Sequence, residues 1–98
     1  MSLASELNTA EEMITKLIKD DIVKKGLVDT GTLRDSISTS VTISNQGEMK
    51  ITVLGEDYFD ELDEKYNIVD DALNSSTFTQ VENALSIAYG TFLEQQLK

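Results

Sequence analysis

Apolar residues recur at intervals of three and four through the first part of the chain. The recurring positions are Leu3, Leu7, Ala10, Ile14, Leu17 and Ile18. This spacing places them on one face of a helix, which we predict over residues 4–25 with Gly26 as a left-handed stop. Thr9 and Glu12 have the spacing of a capping box, so the regular part of the helix can start there rather than at Ser2.

A polar turn follows this helix. It has the sequence Asp29-Thr30-Gly31-Thr32, in which the glycine can adopt a positive φ at little cost. Leu33 and Ile37 lie four positions apart directly after the turn, and we predict that they form a buried pair on a helical turn.

The periodicity then changes from helical to alternating. Apolar residues at 37, 41 and 43 alternate with serine and threonine, and the alternation resumes at Met49, Ile51 and Val53. Between the two runs lies the turn 45–48, which contains Gly47. Two alternating runs around a short glycine-containing turn predict an antiparallel β-hairpin.

An acidic segment and a second long helix complete the chain. Residues 56–71 contain eight acidic side chains among which aromatic and aliphatic residues are interspersed, and Phe59, Leu62 and Tyr66 fit one side of a short helix. The final helix is predicted from a stripe that steps by three and four, with a capping box at Thr77–Gln80 or Thr79–Glu82. Its stripe consists of Phe78, Val81, Leu85, Ala88 and Phe92.

The order of elements predicts one α+β domain over residues 1–98. A long N-terminal helix, a turn, a small antiparallel β-hairpin and a C-terminal helix packed on it fit 98 residues, a length that suits one domain better than two. Two strands alone are marginally stable, so helices or a neighbouring subunit's strands must cover them.

Composition and charge argue against several classes of function. The chain has no cysteine and no histidine, which removes disulfides, cysteine nucleophiles, the usual zinc ligands and the commonest general base. No phosphate-binding loop or nucleophile elbow is present either, so an enzyme and a cofactor are not expected. The net charge of −10 opposes binding to phosphate backbones and to anionic lipid. We expect a soluble, intracellular protein, or part of a particle assembled inside a cell.

The acidic segment admits several interpretations. Asp57, Asp60 and Asp63 are oxygen ligands of the kind that calcium prefers, but their spacing differs from that of a helix–loop–helix calcium loop. Paired carboxylates for glycoside hydrolysis would need a larger chain to form a sugar cleft. A small acidic inhibitor that mimics DNA and acts on a host nucleic-acid-binding protein is an alternative function. The simplest interpretation is a solvated helix face that keeps the protein soluble.

Arg34 and the aromatic residues are candidates for contacts between subunits. Arg34 is the only arginine, and it can form a surface ion pair with a nearby aspartate or a bidentate contact with a carboxylate of a neighbouring subunit. Tyr58, Phe59 and Tyr66 can belong either to the core or to an interface. Phe78 and Phe92 are expected in the core.

The stretch from Val28 to Ile37 resembles a known signature. Its sequence, Val-Asp-Thr-Gly-Thr-Leu-Arg-Asp-Ser-Ile, is similar to the Asp-Thr-Gly-x-Leu-x-x-Ser-Ile motif of small tailed-bacteriophage proteins of the head–tail junction, the connector, tail-completion or neck proteins. The matching residues are Asp29, Thr30, Gly31, Leu33, Ser36 and Ile37, with Arg34 between them. The order of elements that the resemblance implies agrees with that predicted above across nearly the whole chain. The chain departs from the family in lacking a proline before the last helix.

The resemblance implies a structural role in the virion. Copies of the chain would form a ring around the DNA channel, in contact with portal or adaptor and tail proteins, after assembly in the host cytoplasm. DNA would only pass through the channel, no membrane would be involved, and an acidic wall would let the DNA slide. Arg34 and part of the acidic segment are the expected interface or channel residues. The residues of that part are Asp57, Tyr58, Phe59, Asp60, Glu61, Asp63 and Glu64.

Overall fold

The described chain begins and ends with a long helix, and short helices and a two-stranded sheet lie between them. A computed structural model describes residues 2–27, 32–74 and 78–97. In these ranges the elements are α1 (Leu3–Lys24), α2 (Thr32–Ser36), β1 (Ser38–Ile43), β2 (Met49–Leu54), α3 (Phe59–Tyr66), α4 (Ile68–Leu73) and α5 (Phe78–Gln96). This order confirms the predicted α+β class. The molecule is elongated, with extents of 49 × 26 × 20 Å.

The ends of α1 are fixed by local hydrogen bonds. The Ser2 hydroxyl accepts the backbone N–H of Ser5 at 3.1 Å and caps the N-terminus. A start at the Thr9 capping box is therefore wrong, because the Thr9 hydroxyl instead donates to the carbonyl of Ser5 within the helix.

The C-terminal end of α1 is a Schellman motif. The N–H of Leu27 donates to the carbonyl of Ile22 at 3.1 Å, and the N–H of Gly26 donates to the carbonyl of Val23 at 3.0 Å. Gly26 has a φ of +71°, as the predicted left-handed stop requires.

One hydrophobic core is centred on α1. Ile14, Ile18 and Ile22 are completely buried along one face of the helix, and α1 packs against β1, α4 and α5. Leu33 and Ile37 join the same core, as predicted. Full burial of a side chain of this size stabilises the fold by about 1.5–3 kcal/mol, so the α1 face accounts for much of the packing energy.

The two strands form the predicted hairpin. They pair antiparallel, with Val41 opposite Ile51 and Thr39 opposite Val53. Val41 is buried beneath α1, whereas Ser38, Ser40 and Thr42 alternate with the inward residues and are exposed. At the turn, Gly47 has a φ of +82° and the Tyr89 hydroxyl oxygen lies 2.9 Å from where a Cβ would stand, so a side chain there would be both strained and crowded.

The acidic segment contains two helices rather than one. α3 confirms the predicted short helix, with Phe59 buried and Leu62 half-buried, but Tyr66 is exposed. The sequence pattern does not predict α4. Asn67 separates the two helices in a left-handed conformation, with a φ of 54°. The Asp63 carboxylate then accepts the N–H of Val69 at 2.8 Å and satisfies a donor in the first turn of α4.

The C-terminal helix packs chiefly along α1. It reaches the hairpin at the turn, where the Tyr89 hydroxyl donates to the carbonyl of Gly47 at 3.0 Å. The capping box predicted at Thr79 and Glu82 is wrong, because Thr79 already lies inside α5. The alternative box at Thr77 falls outside the described residues.

Candidate interaction surfaces

The second half of the signature sequence connects α2 to the core and to the acidic segment. Asp29, Thr30 and Gly31 lie outside the described residues, while Leu33 and Ile37 are core residues. Between these two, the Ser36 hydroxyl donates to the carbonyl of Leu33 at 2.7 Å and accepts the N–H of Glu56 at 3.0 Å. Ser36 therefore ties the end of α2 to the beginning of the acidic segment.

The close approach of residues 55–59 to the signature depends on a glycine. A Cβ at Gly55 would stand 2.9 Å from the Cδ1 atom of Ile37 and 3.2 Å from the Phe59 side chain. The signature thus packs against the start of α3 and sets the position of this acidic helix relative to the core.

Arg34 lies at the surface beside an aspartate. Its Nε atom is 3.3 Å from an Asp35 carboxylate oxygen, and the two side chains are 42% and 69% exposed. Exposed pairs of this kind contribute little to stability, about 0–1 kcal/mol. The Arg34 guanidinium is accordingly accessible to groups outside this chain.

The residues predicted for an interface or channel separate into two sets. Phe59 is only 2% exposed and belongs to the core, so it is removed from the predicted surface. Asp63 is half-buried and occupied with the Val69 N–H. Besides Arg34, described above, the other five predicted residues all lie in the acidic segment and are exposed. They are Asp57, Tyr58, Asp60, Glu61 and Glu64.

Three of these exposed acids form a compact negative face on α3. Successive residues of a helix are rotated by about 100°, so Asp60, Glu61 and Glu64 fall within about 100° of arc. Phe59 anchors the helix from the other side. At the C-terminal end of α3, the Lys65 ammonium lies 5.3 Å from the centre of the Tyr66 ring, a cation–π contact.

A groove of about 570 Å³ runs between α1 and the α2–β1 segment. Ile37, Thr15 and Thr39 line it, and the hydroxyls of the two threonines are hydrogen-bonded at 2.8 Å. Lys16, Lys19 and Arg34 also line it, so three of the chain's eight cations meet here. Sequence reasoning missed this set. The i, i+3 spacing of the two lysines is visible in the sequence, but their proximity to Arg34 arises only from the packing of α2 on α1.

Acidic side chains share the groove, and two of them are engaged. The Glu11 carboxylate accepts the N–H of Val41 at 2.7 Å, and Glu12 accepts the side-chain amide of Asn8 at 3.3 Å. Asp20 is the third acid in the lining. Within residues 2–27, 32–74 and 78–97, no carboxylate lies within ion-pair distance of Lys16 or Lys19.

The bond from Glu11 also protects one edge of the sheet. The N–H of Ser44 donates to the carbonyl of Glu48, and hydrogen-bonded pairs alternate along an antiparallel ladder, so the N–H of Val41 points away from β2. Glu11 satisfies that donor and partly covers the β1 edge. Because the sheet in the described part of the chain has only two strands, the outer edge of β2 has no strand partner there.

An ion-pair network joins α1 to α4 away from the groove. The Lys25 ammonium lies 2.6 Å from the carboxylate of Asp21 and 2.8 Å from that of Asp71. Hydrogen bonds to Asp21 and then to Asp71 raise the pKa of Lys25 above its usual 10.5, since they favour the charged ammonium. Asp21 is 9% exposed, so its burial depends on this partner.

Neither a cluster of metal-ligating side chains nor a membrane-spanning helix occurs within the described residues. Across residues 2–27, 32–74 and 78–97, no group of three or more acidic side chains is placed to hold a metal ion, so Asp57, Asp60 and Asp63 do not form the calcium site considered above. None of the helices described there has the length and hydrophobicity needed to cross a membrane. Comparison with protein-family models, with curated proteins and with solved structures gives no significant match.

Proposed function

We propose that this chain is a structural protein of the tailed-phage head–tail junction, whose copies form a ring around the DNA channel. The observation that carries the proposal is the order of elements around the signature. A long helix precedes it, α2 contains its second half, and β1 begins one residue after its final Ile37. The resemblance implies this arrangement of elements.

The surface charge supports a channel role. Asp60, Glu61 and Glu64 are exposed on one face of α3, while the chain as a whole carries −10. A dense negative surface repels the phosphates of DNA, and repulsion keeps a translocating duplex from adhering to the wall. In this proposal α3 contributes to the acidic character of the ring, and DNA passes without being bound.

The hairpin supports an assembly role. Strand edges with unpaired backbone groups are templates for pairing with another chain, and natural proteins usually protect them. Here Glu11 occupies the donor of Val41 on β1, whereas the outer edge of β2 has no strand partner among the described residues. The β2 edge is therefore where another protein of the junction would add a strand.

Co-purification tests the proposal. The tagged chain is isolated from infected or expressing cells, and the associated proteins are identified by mass spectrometry. The proposal predicts portal or adaptor and tail proteins together with several copies of the chain. Recovery of a single host nucleic-acid-binding protein in a one-to-one complex, without virion proteins, would refute it and favour the acidic-inhibitor function.

A further inference from the structure

One face of α5 lies opposite the core and is not covered by any element of the described chain. Ala88 and Phe92 are buried against the rest of the protein. At about 100° per residue, Gly90 lies on the opposite side of the helix. The residues within two turns of Gly90 and about 60° of it are all exposed, and together with Gly90 we call them the outer face of α5. They are Asn83, Ser86, Ile87, Leu93, Glu94 and, directly after the helix, Leu97.

The outer face is apolar and almost free of charge. The described residues contain seven exposed large apolar side chains, and three of them lie here, among them Ile87 at 59% and Leu93 at 47% exposure. Charged residues make up 27% of the chain, yet none occurs between Glu82 and Glu94. The solvent side of a surface helix normally carries charged and polar residues, and grouped exposed apolar residues mark interaction sites. The outer face therefore has the composition of a contact surface.

Gly90 leaves a depression at the centre of this face. No atom lies within 4 Å of the position that its Cβ would occupy, so packing within this chain does not require a glycine. Glycine inside a helix is destabilising relative to alanine. What the glycine provides is access, because another helix can approach more closely where the Cβ is missing.

We propose that the outer face of α5 packs antiparallel against the same face of a second copy of this chain, with the two helices crossing at Gly90. Ile87 and Leu93 lie three residues before and after Gly90, about 60° to either side of it. In an antiparallel pair, Leu93 of one copy is therefore level with Ile87 of the other, beside the depression. A two-fold contact requires a surface that is complementary to itself in this way.

Charge favours a second copy as the occupant. Two chains that each carry −10 repel one another wherever their acidic surfaces meet, so they associate best through a surface that lacks charge. Interfaces between identical chains are also more apolar than those between different proteins. A nucleic acid or an anionic lipid surface would instead need cations, and the residues of the outer face include none.

The inference goes beyond the proposed function and does not depend on it. A two-fold contact pairs copies in opposite directions, so it differs from the contact that repeats in one direction around a ring. It uses neither α3 nor the outer edge of β2, the two surfaces that the proposed function assigns to the channel and to strand pairing. The two proposals can therefore fail separately.

Filling the depression tests the contact. Self-association of the full chain is measured by sedimentation velocity up to about 1 mM, because one pair of helices forms a small interface. We expect Gly90→Leu to weaken association at least roughly tenfold, since its side chain blocks the approach of the second helix. The variant should keep its Tm or gain stability, because nothing in its own chain lies near the new Cβ.

Matched controls separate the contact from general surface effects. Gln95→Leu adds the same side chain at an exposed position of α5 about 140° from Gly90, and it should associate like the original chain. Leu93→Glu should abolish association, whereas Leu54→Glu, at an exposed leucine of β2, should not. Raising the ionic strength should strengthen association of the original chain, because salt screens the repulsion between the acidic copies.

A cross-link tests the crossing point. The chain has no cysteine, so Gly90→Cys introduces a single thiol. Facing Cα atoms of helices whose axes are about 8–10 Å apart lie about 3.4–5.4 Å apart, which overlaps the range of about 4.4–6.8 Å that a disulfide spans. We expect mild oxidation with diamide to link Gly90→Cys into a dimer and to leave Gln95→Cys mostly monomeric.

Four results would overturn the inference. The first is an original chain that stays monomeric at all concentrations, and the second is a Gly90→Leu variant that associates as well as Gln95→Leu. The third is a cross-link that forms no more readily through Gly90→Cys than through Gln95→Cys. The fourth is binding to neutral phosphatidylcholine vesicles that Leu93→Glu abolishes, which would assign the outer face to lipid. Because none of these measurements involves virion proteins, each leaves the proposed function to its own test.

Discussion

Replacing Glu11 with alanine removes the acceptor that α1 extends to the edge of β1. In the structure the Glu11 carboxylate accepts the N–H of Val41 at 2.7 Å in a partly buried setting. Without this carboxylate, the backbone N–H of Val41 loses its hydrogen-bond acceptor on α1. The change therefore tests whether α1 organises the hairpin by a hydrogen bond as well as by packing.

The expected cost follows from the type of bond. A hydrogen bond to a charged group contributes about 1.5–3 kcal/mol, and the half-buried position of Glu11 favours the lower end, so we expect Glu11→Ala to lower the free energy of unfolding by about 1.5 kcal/mol. For a domain of this size, a loss of about 1.5 kcal/mol lowers Tm by roughly 6–12 °C. Glu11→Gln keeps an acceptor oxygen and should cost less than about 1 kcal/mol.

Urea denaturation followed by circular dichroism measures the global effect, and hydrogen exchange at the Val41 amide measures the local one. Glu12→Ala is the matched control, because Glu12 is exposed and accepts only the side chain of Asn8, so it should change stability by less than about 0.5 kcal/mol. If Glu11→Ala were as stable as this control and Val41 exchange were unchanged, the role assigned to Glu11 would be refuted.

Three further substitutions test other parts of the fold. Lys25→Met should destabilise the fold by about 1–3 kcal/mol because it leaves the Asp21 carboxylate buried without its cation. Because the pKa of Lys25 is raised in the folded protein, its contribution to stability is complete below pH 10.5 and is lost as the pH rises through the folded pKa. The stability of the variant should not show this loss at high pH. Gly26→Ala should cost about 1–2 kcal/mol from backbone strain alone, since nothing lies near its Cβ position, whereas Gly90→Ala inside α5 should stabilise by about 0.5–1 kcal/mol; equal Tm changes would contradict this difference. Phe59→Ala should cost about 3–5 kcal/mol by opening a core cavity, and a Tm close to that of the original chain would show that the side chain lies at the surface.

Periodic segments were predictable from the sequence because burial repeats with the geometry of the element. The stripe on α1 and the alternation around Gly47 each gave an element within one or two residues of its observed bounds. The buried pair Leu33 and Ile37 was predictable for the same reason. These features depend on local geometry and on one buried face.

Features that depend on one particular contact were not predictable. α4 depends on the left-handed conformation of Asn67 and on the hydrogen bond that the Asp63 carboxylate accepts from Val69. Hydrophobic periodicity indicates neither of these contacts. The same holds for the candidate surfaces: the acidic character of α3 is visible in the sequence, but the groove brings together Lys16 and Arg34, which are 18 positions apart. The sequence leaves Phe59 compatible with either the core or an interface, and its burial places it in the core.

The mass of native particles containing this chain tests the central claim most directly. The tagged protein is purified from infected or expressing cells at low salt, and the particles are analysed by native mass spectrometry and negative-stain imaging. The account predicts closed rings of several copies, associated with portal or tail proteins. A one-to-one complex with a host protein, or only free monomer without virion proteins, would contradict it.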